Sequence, residues 1–324
     1  MPVNDMQHYA DVFAGITPYA GAPPKGFRVD YLGILTDSRF RLDFGGDPER
    51  DGGAHVETRL PRMEDGEGWF ESVNWIEAAR AARGEYVMVT LGACYAAQAV
   101  GAQRALQLLN PMPYRLVSVE PDPENNAWIE KHYRDNGIDP AQQWRIQCAI
   151  GDSNAPILFP IGSPGTGAQN SFATNHRAAR EHYFKEFVRM HRTKQALRGL
   201  LMENTTGIVR DLVPGRGFNA EIKMVSCVTL ADVLGPFARV DYLEADIQQS
   251  EIIVFPPAMD VMNAKVRRAH IGTHGGDVHA AMVALFQANG WEIVFDFAPN
   301  GAYETALGAF TTNDGVLTAL NPRL

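Results

Sequence analysis

Beyond residue 85 the chain alternates between short apolar runs and segments of helical periodicity, and few folds accept that rhythm. The runs YVMVTL (86–91), LVSVE (116–120), WRIQCAIGD (144–152), VDYLEADI (240–247), RRAHIGT (267–273) and WEIVFDF (291–297) read as strands. Helical stretches lie among them: PENNAWIEKHYRDNG is closed by Gly137 and DVHAAMVALFQANG by Gly290. Largely apolar strands separated by helices predict an α/β fold with a mostly parallel sheet and helices on both faces. Asn-Asp-Gly inside LGAFTTNDGVLTAL predicts an antiparallel C-terminal hairpin.

Two regions depart from the rhythm. Residues 1–68 are rich in Gly, Pro and charge and read as an N-terminal arm or cap, ahead of a main domain at 69–324 that opens with the helical pattern WFESVNWIEAARAAR. Such an arm, with little core of its own, must pack on its own chain or on a neighbour in a homo-oligomer. The second region, at about 160–225, is too long for an ordinary crossover. A lid over the site, a solvated amphipathic helix and a contact with an anionic partner are all open readings. His176, Arg177, Arg180 and His182 would meet an anionic or sugar-like substrate in the first case and water in the second.

A formal net charge of −9 argues against a nucleic-acid partner, because no global positive field would attract phosphates. Cys94, Cys148 and Cys227 are far apart, with no CxxC pair, and read as buried free thiols in a reducing compartment. The start MPVNDMQHYADVFAG lacks a basic segment leading into an apolar one, and no apolar run is long enough to span a bilayer. A cytoplasmic protein without a membrane partner is the expectation.

In an open α/β sheet, ligands sit outside the carboxyl ends of the strands. After the first strand comes Gly92, where the missing side chain lets a ligand approach the backbone. The second strand ends at Glu120, whose carboxylate suits a ribose diol, and the third at Ile150 and Asp152, where an acid could accept from an adenine amino group. Together these describe an adenosine site. The turn holds Ala93, Cys94 and Tyr95 instead of several glycines, and no GK[ST] follows, so a pyrophosphate finds no cradle. An adenosine bearing something less anionic fits better, and S-adenosylmethionine is the common ligand of that kind.

The order of VTLGACYAAQAVG, LVSVEPDPENN, QCAIGD, VDYLEADIQQSE and DGVLTALNPRL resembles the FkbM family of S-adenosylmethionine-dependent methyltransferases over roughly residues 85–324. The resemblance implies a Rossmann-like class I methyltransferase sheet and O-methyl transfer to a hydroxyl of a sugar or secondary metabolite. Family positions are matched by Gly92, Ala93, Glu120, Pro121, Asp246 and Glu251. Departures are Thr90 for an acid, Cys94 for Asn, Ala96 for Gly, Glu244 for Lys, and Gln248-Gln249 for Glu-Gly. The implied cofactor set is Thr90, Gly92, Ala93, Glu120, Pro121, Ile150, Asp152 and Asp246.

Methyl transfer to oxygen is an in-line displacement that needs an acceptor for the hydroxyl proton. Asp246 ends the fourth strand, facing the cleft or capping a turn. His274 follows the fifth strand in a glycine-rich loop and is the expected general base. Tyr95, Gln248 and His279 are candidate substrate contacts, with burial under the first helix the alternative for Tyr95; His270 reads as a core histidine and Asp277 as a helix cap. These histidines with Asp246 and Asp277 could also hold a divalent metal, although no HExxH-like spacing supports it, and no metal is expected. A non-catalytic binding or scaffold protein and an NAD-type oxidoreductase remain as competing functions, the latter without a GxGxxG turn.

Overall fold

The computed structural model describes residues 6–161 and 221–324. Most of the expected lid, with His176, Arg177, Arg180 and His182, lies outside the described residues.

Seven strands form the central sheet: β1 (Tyr86–Leu91), β2 (Tyr114–Val119), β3 (Trp144–Ile146), β4 (Val240–Ala245), β5 (Val266–Thr273), β6 (Glu292–Phe297) and β7 (Gly315–Leu320). Their spatial order is β6-β7-β5-β4-β1-β2-β3. Every pair from β5 to β3 is parallel, while β7 is antiparallel to both β5 and β6. The sheet is thus Rossmann-like and mostly parallel, with the order reversing between β1 and β4, where such folds bind ligands.

Helices cover it: α1 (Glu67–Ala81), α2 (Ala97–Leu109), α3 (Pro123–Asp135), α4 (Leu230–Leu234), α5 (Glu251–Val254), α6 (Met259–Lys265) and α7 (Gly276–Ala288). All six residues of β1 and of β4 are buried, as strands sandwiched between helices must be. One core lies between the sheet and α1, α2 and α3, the other between the sheet and α4 to α7. Asp122 caps α3, accepting from the N–H groups of Glu124 (2.8 Å) and Asn125 (3.3 Å).

The arm packs on its own chain. Tyr9, Phe13, Tyr31 and Met63 join the α1-side core, with Tyr9 and Phe13 edge-on to Trp69 of α1 at 6.2 and 6.5 Å. Each aromatic buried there contributes about 1.5–3 kcal/mol, which is how a Gly- and Pro-rich segment holds its place. Among the described residues no helix is long and apolar enough to cross a membrane.

Two strand expectations change. WRIQCAIGD is not one strand: β3 stops at Ile146, and Ala149–Gly151 pairs in parallel with Cys227–Thr229 in a separate two-stranded sheet. The break falls at the Ile146 carbonyl, which accepts from the Glu120 N–H as the last ladder bond (3.0 Å) and from the Cys148 N–H in a tight turn (2.9 Å) that takes the chain out of the sheet. The C-terminal hairpin is present, but it joins Ala302–Thr305 to Gly308–Thr311, not the runs on either side of Asn-Asp-Gly. The run after that turn is β7, which makes two ladders in the sheet and so buries all of Gly315–Ala319. The three cysteines are free, with Cys227 buried and Cys94 and Cys148 half-buried.

Candidate functional site

A cleft of about 280 Å³ opens at the carboxyl ends of β1, β4 and β5. Thr90, Gly92, Ala93, Cys94 and Tyr95 form its first wall, Glu244 and Asp246 the second, and His270 and Gly272 the third. Arg41 of the arm, Glu67 and Glu71 of α1, Gln98 of α2 and the turn Asp314–Gly315 close it.

The β1 turn is tight. The N–H groups of Gly92 and Ala93 both donate to the Val119 carbonyl (3.0 Å each), and Gly92 has φ +70°. Cys94 (φ 53°) and Ala96 (φ 62°) are also left-handed, as are Gln248 (55°) and Gln249 (75°) after β4. The path of a glycine- or asparagine-bearing turn is therefore retained by residues that adopt it at a cost of about 1–2 kcal/mol each. Thr90 is buried in the cleft wall and its Oγ1 has no hydrogen-bond partner.

Asp246, His274, Gln248 and Asp314 form one cluster. The His274 Nε2 lies 3.3 Å from Asp314 Oδ1 and 3.6 Å from Asp246 Oδ1. The Gln248 amide Nε2 is 3.0 Å from Asp246 Oδ1 and 2.8 Å from His274 Nε2. Glu67 Oε1 accepts from the N–H groups of Asn313 and Asp314 (3.0 Å each), so α1 holds the turn that delivers Asp314.

Desolvation pushes the Asp246 carboxyl up to about 6, with His274 opposing and Asp314 adding. Burial alone would lower the His274 imidazole, but Asp314, Asp246 and Glu251 outweigh it and raise it to about 9. Its carboxyl neighbours thus hold His274 toward the imidazolium form, whereas the expected role of general base calls for the neutral ring. Desolvation also raises Glu71 and Glu251 to about 7 and Glu244 well above the carboxylate range.

Other expected site residues sit elsewhere. The His279 ring is buried, with Nδ1 2.8 Å from Thr273 Oγ1 and Nε2 2.9 Å from Asp296 Oδ1, so both nitrogens are engaged away from the cleft. α7 starts at Gly276 with Gly275 as its cap, so Asp277 lies inside the first turn and is not the cap. Ile150 packs in the core and Asp152 is exposed, neither lining the cleft, because the β3 break carries Ile150 into the small sheet and Asp152 just past its end. Pro121 is buried. Glu120 is buried too: its Oε2 accepts from Cys94 N–H (2.7 Å), its Oε1 from Asp122 N–H (2.9 Å), and desolvation raises it to about 7. His270 touches the cleft but serves the core, with Nδ1 2.8 Å from Thr318 Oγ1; burial lowers it to about 3. Tyr95 lines the cleft under Phe40, at 4.3 Å between rings.

Sequence reading missed Arg41, Glu67, Glu71 and Asp314. Glu67 and Glu71 stand one helical turn apart, a spacing visible beforehand, whereas nothing in the arm marked Arg41. Among the described residues no group of three His, Cys, Asp or Glu is placed to hold a metal ion.

The sequence matches the family described as Methyltransferase FkbM domain over residues 100–292. No curated protein matches the chain. Among solved structures, a methyltransferase FkbM from Methylobacillus flagellatus KT is similar at 11% identity and a TM-score of 0.37, covering 74% of this chain and 45% of that one. This chain therefore spans less than half the length of that protein. A precorrin-6y C5,15-methyltransferase from Geobacter metallireducens GS-15 is similar at 10% identity and a TM-score of 0.37, covering 81% of this chain and 92% of that one. Aeropyrum pernix fibrillarin, in complex with natively bound S-adenosyl-L-methionine, is similar at 8% identity and a TM-score of 0.33, covering 78% and 79%.

Proposed function

The chain belongs to the FkbM family of methyltransferases, and from that premise we propose that it moves a methyl group from S-adenosylmethionine to a hydroxyl oxygen of a small molecule such as a sugar or secondary metabolite. The observation that carries this reading is the charge of the cleft. Among the described residues, Glu67, Asp246 and Asp314, with Glu71 and Glu244 whose carboxyls desolvation shifts toward the neutral form, line it against one guanidinium, Arg41. A pyrophosphate entering there meets acids at close range, and a sulfonium is attracted by the same groups.

The residues present fit such a donor. Thr90 Oγ1 offers an unused hydroxyl in the wall, and the Gly92–Cys94 turn presents backbone to a nucleoside. Glu120, whose two oxygens accept from the Cys94 and Asp122 N–H groups, braces that turn from behind and does not line the cleft. S-adenosylmethionine supplies an electrophilic methyl group when bound. Asp246, ionised above about pH 6, accepts the proton of the incoming hydroxyl. His274 and Gln248 hold the Asp246 carboxylate in place from one side, leaving the cleft side to the substrate.

A second reading is a protein that keeps the fold without catalysis. It is favoured by one observation, the engagement of both Glu120 oxygens by its own backbone. Calorimetry with S-adenosylhomocysteine, followed by methyl transfer from labelled S-adenosylmethionine to a panel of hydroxylated acceptors, separates the two. Binding with transfer supports the enzyme; no heat with either nucleoside removes it.

A further inference from the structure

The family pattern places an acid before the glycine of the β1 turn, and this chain has Thr90 there. Three observations locate what replaces it. Thr90 is 1% exposed, lines the cleft, and leaves Oγ1 without a partner. Arg41 reaches the same cleft from the arm: the helical run Ser38–Phe44 breaks at Arg41 (φ −107°, ψ 22°), and its guanidinium stands 5.7 Å above the Tyr95 ring. Glu71 of α1 lines the same cleft. Arg41, Glu71 and Thr90 all lie before residue 100, outside the segment that matches the family.

We infer that Arg41, Thr90 and Glu71 form a subsite for an α-amino-carboxylate, the amino-acid end of S-adenosylmethionine, so that the arm and α1 supply what the β1 turn has lost. The inference rests on the cofactor reading above. A guanidinium pairs with a carboxylate through two parallel N–H···O bonds, a hydroxyl adds a third contact, and a half-buried carboxylate takes the ammonium. Among the described residues lining the cleft, Arg41 is the one Arg or Lys, so a ligand carboxylate has a single cation to seek. Glu71 sits in a desolvated position that raises it to about 7, and an ammonium beside it restores its ionised form. The arm thereby becomes part of the cofactor site.

The test compares two ligands on the full chain by calorimetry: S-adenosylhomocysteine, and 5′-methylthioadenosine, which carries the same thioether nucleoside without the amino-acid end. Wild type should bind S-adenosylhomocysteine at least tenfold more tightly. Arg41→Gln should remove most of that difference while leaving 5′-methylthioadenosine within twofold, and Arg41→Lys should restore part of it. Thr90→Val, nearly isosteric, should weaken S-adenosylhomocysteine alone, and it carries the test if Arg41→Gln melts early. Equal affinity of wild type for both ligands, unchanged S-adenosylhomocysteine affinity in the variants, or equal loss of both ligands would overturn the subsite while sparing the cofactor reading. Wild type that binds neither ligand would sink both.

Discussion

A side-chain carbon on Gly92 would overlap the carbonyl oxygen of Asp246, so the turn after β1 and the end of β4 touch through bare backbone. The contact is sealed on its other side by the Asp246 N–H, which donates to the Leu91 carbonyl (3.1 Å). Gly92 also has φ +70°, a region where any other residue is strained. Gly92→Ala should therefore destabilise the fold by about 2–4 kcal/mol, from overlap plus strain. Urea unfolding measures it, and a loss below about 1 kcal/mol would mean that the two strands are not in this register.

Gln249 has the opposite outlook. It is exposed and left-handed at φ 75°, where the family pattern has glycine. Gln249→Gly should stabilise by about 0.5–1 kcal/mol, the relieved strain exceeding the entropy that glycine adds to the unfolded chain. A lower melting temperature for the variant would contradict the strain. Ala96→Gly is a poorer test, because its methyl group is fully buried and its loss offsets the gain.

Stability should depend on pH through Glu71. Its folded pKa of about 7 lies above an unfolded value of about 4.3, so the folded state holds the proton more tightly. Stability is then lost as pH rises from about 4.3 to 7. Glu71→Gln removes that loss: it should leave stability at pH 5 nearly unchanged and raise it by on the order of 1–2 kcal/mol at pH 8. Unfolding at both pH values decides it, and equal effects at pH 5 and pH 8 would refute the desolvated acid.

His274 gives the same sign of pH dependence over a higher range. Its folded pKa of about 9 exceeds an unfolded value of about 6.5, so its stabilisation is complete below pH 6.5 and fades as pH rises through 9. His274→Gln should lose stability at pH 6 and lose less at pH 10. The same variant should move the acid limb of the kcat/KM profile up by about 0.5–1 unit, since the imidazolium holds the Asp246 carboxyl down. An acid limb that vanishes instead would return His274 to the role of base.

Much of the fold was legible because strand and helix periods are local. Tyr86–Leu91 and its neighbours carry apolar runs that only a two-sided sheet can bury, and Gly137 and Gly290, at φ 73° and 70°, end helices where the chain said they would. Gly92, Thr90 and Asp246 were found because a strand end is a place in the sequence as well as in space. Asp152 and His279 were misplaced for a different reason. Their positions depend on where β3 breaks and on which face α7 presents, and each is set by partners outside the local segment: the strand Cys227–Thr229 that takes up Ala149–Gly151, and Asp296 and Thr273 on the His279 ring.

Chain order alone therefore determined the alternation of elements, the glycine that permits the turn, and the carboxylates at the strand ends, since each follows from the backbone freedom and polarity of a few consecutive residues. Tertiary structure decided which groups meet. It brought Arg41, Glu67 and Glu71 to a cleft whose strand-end walls begin only at Thr90 and carried Asp314 to His274. It also drew an expected base toward its cationic form, because the ionisation of an imidazole is set by charges and desolvation in space, to which sequence separation is indifferent.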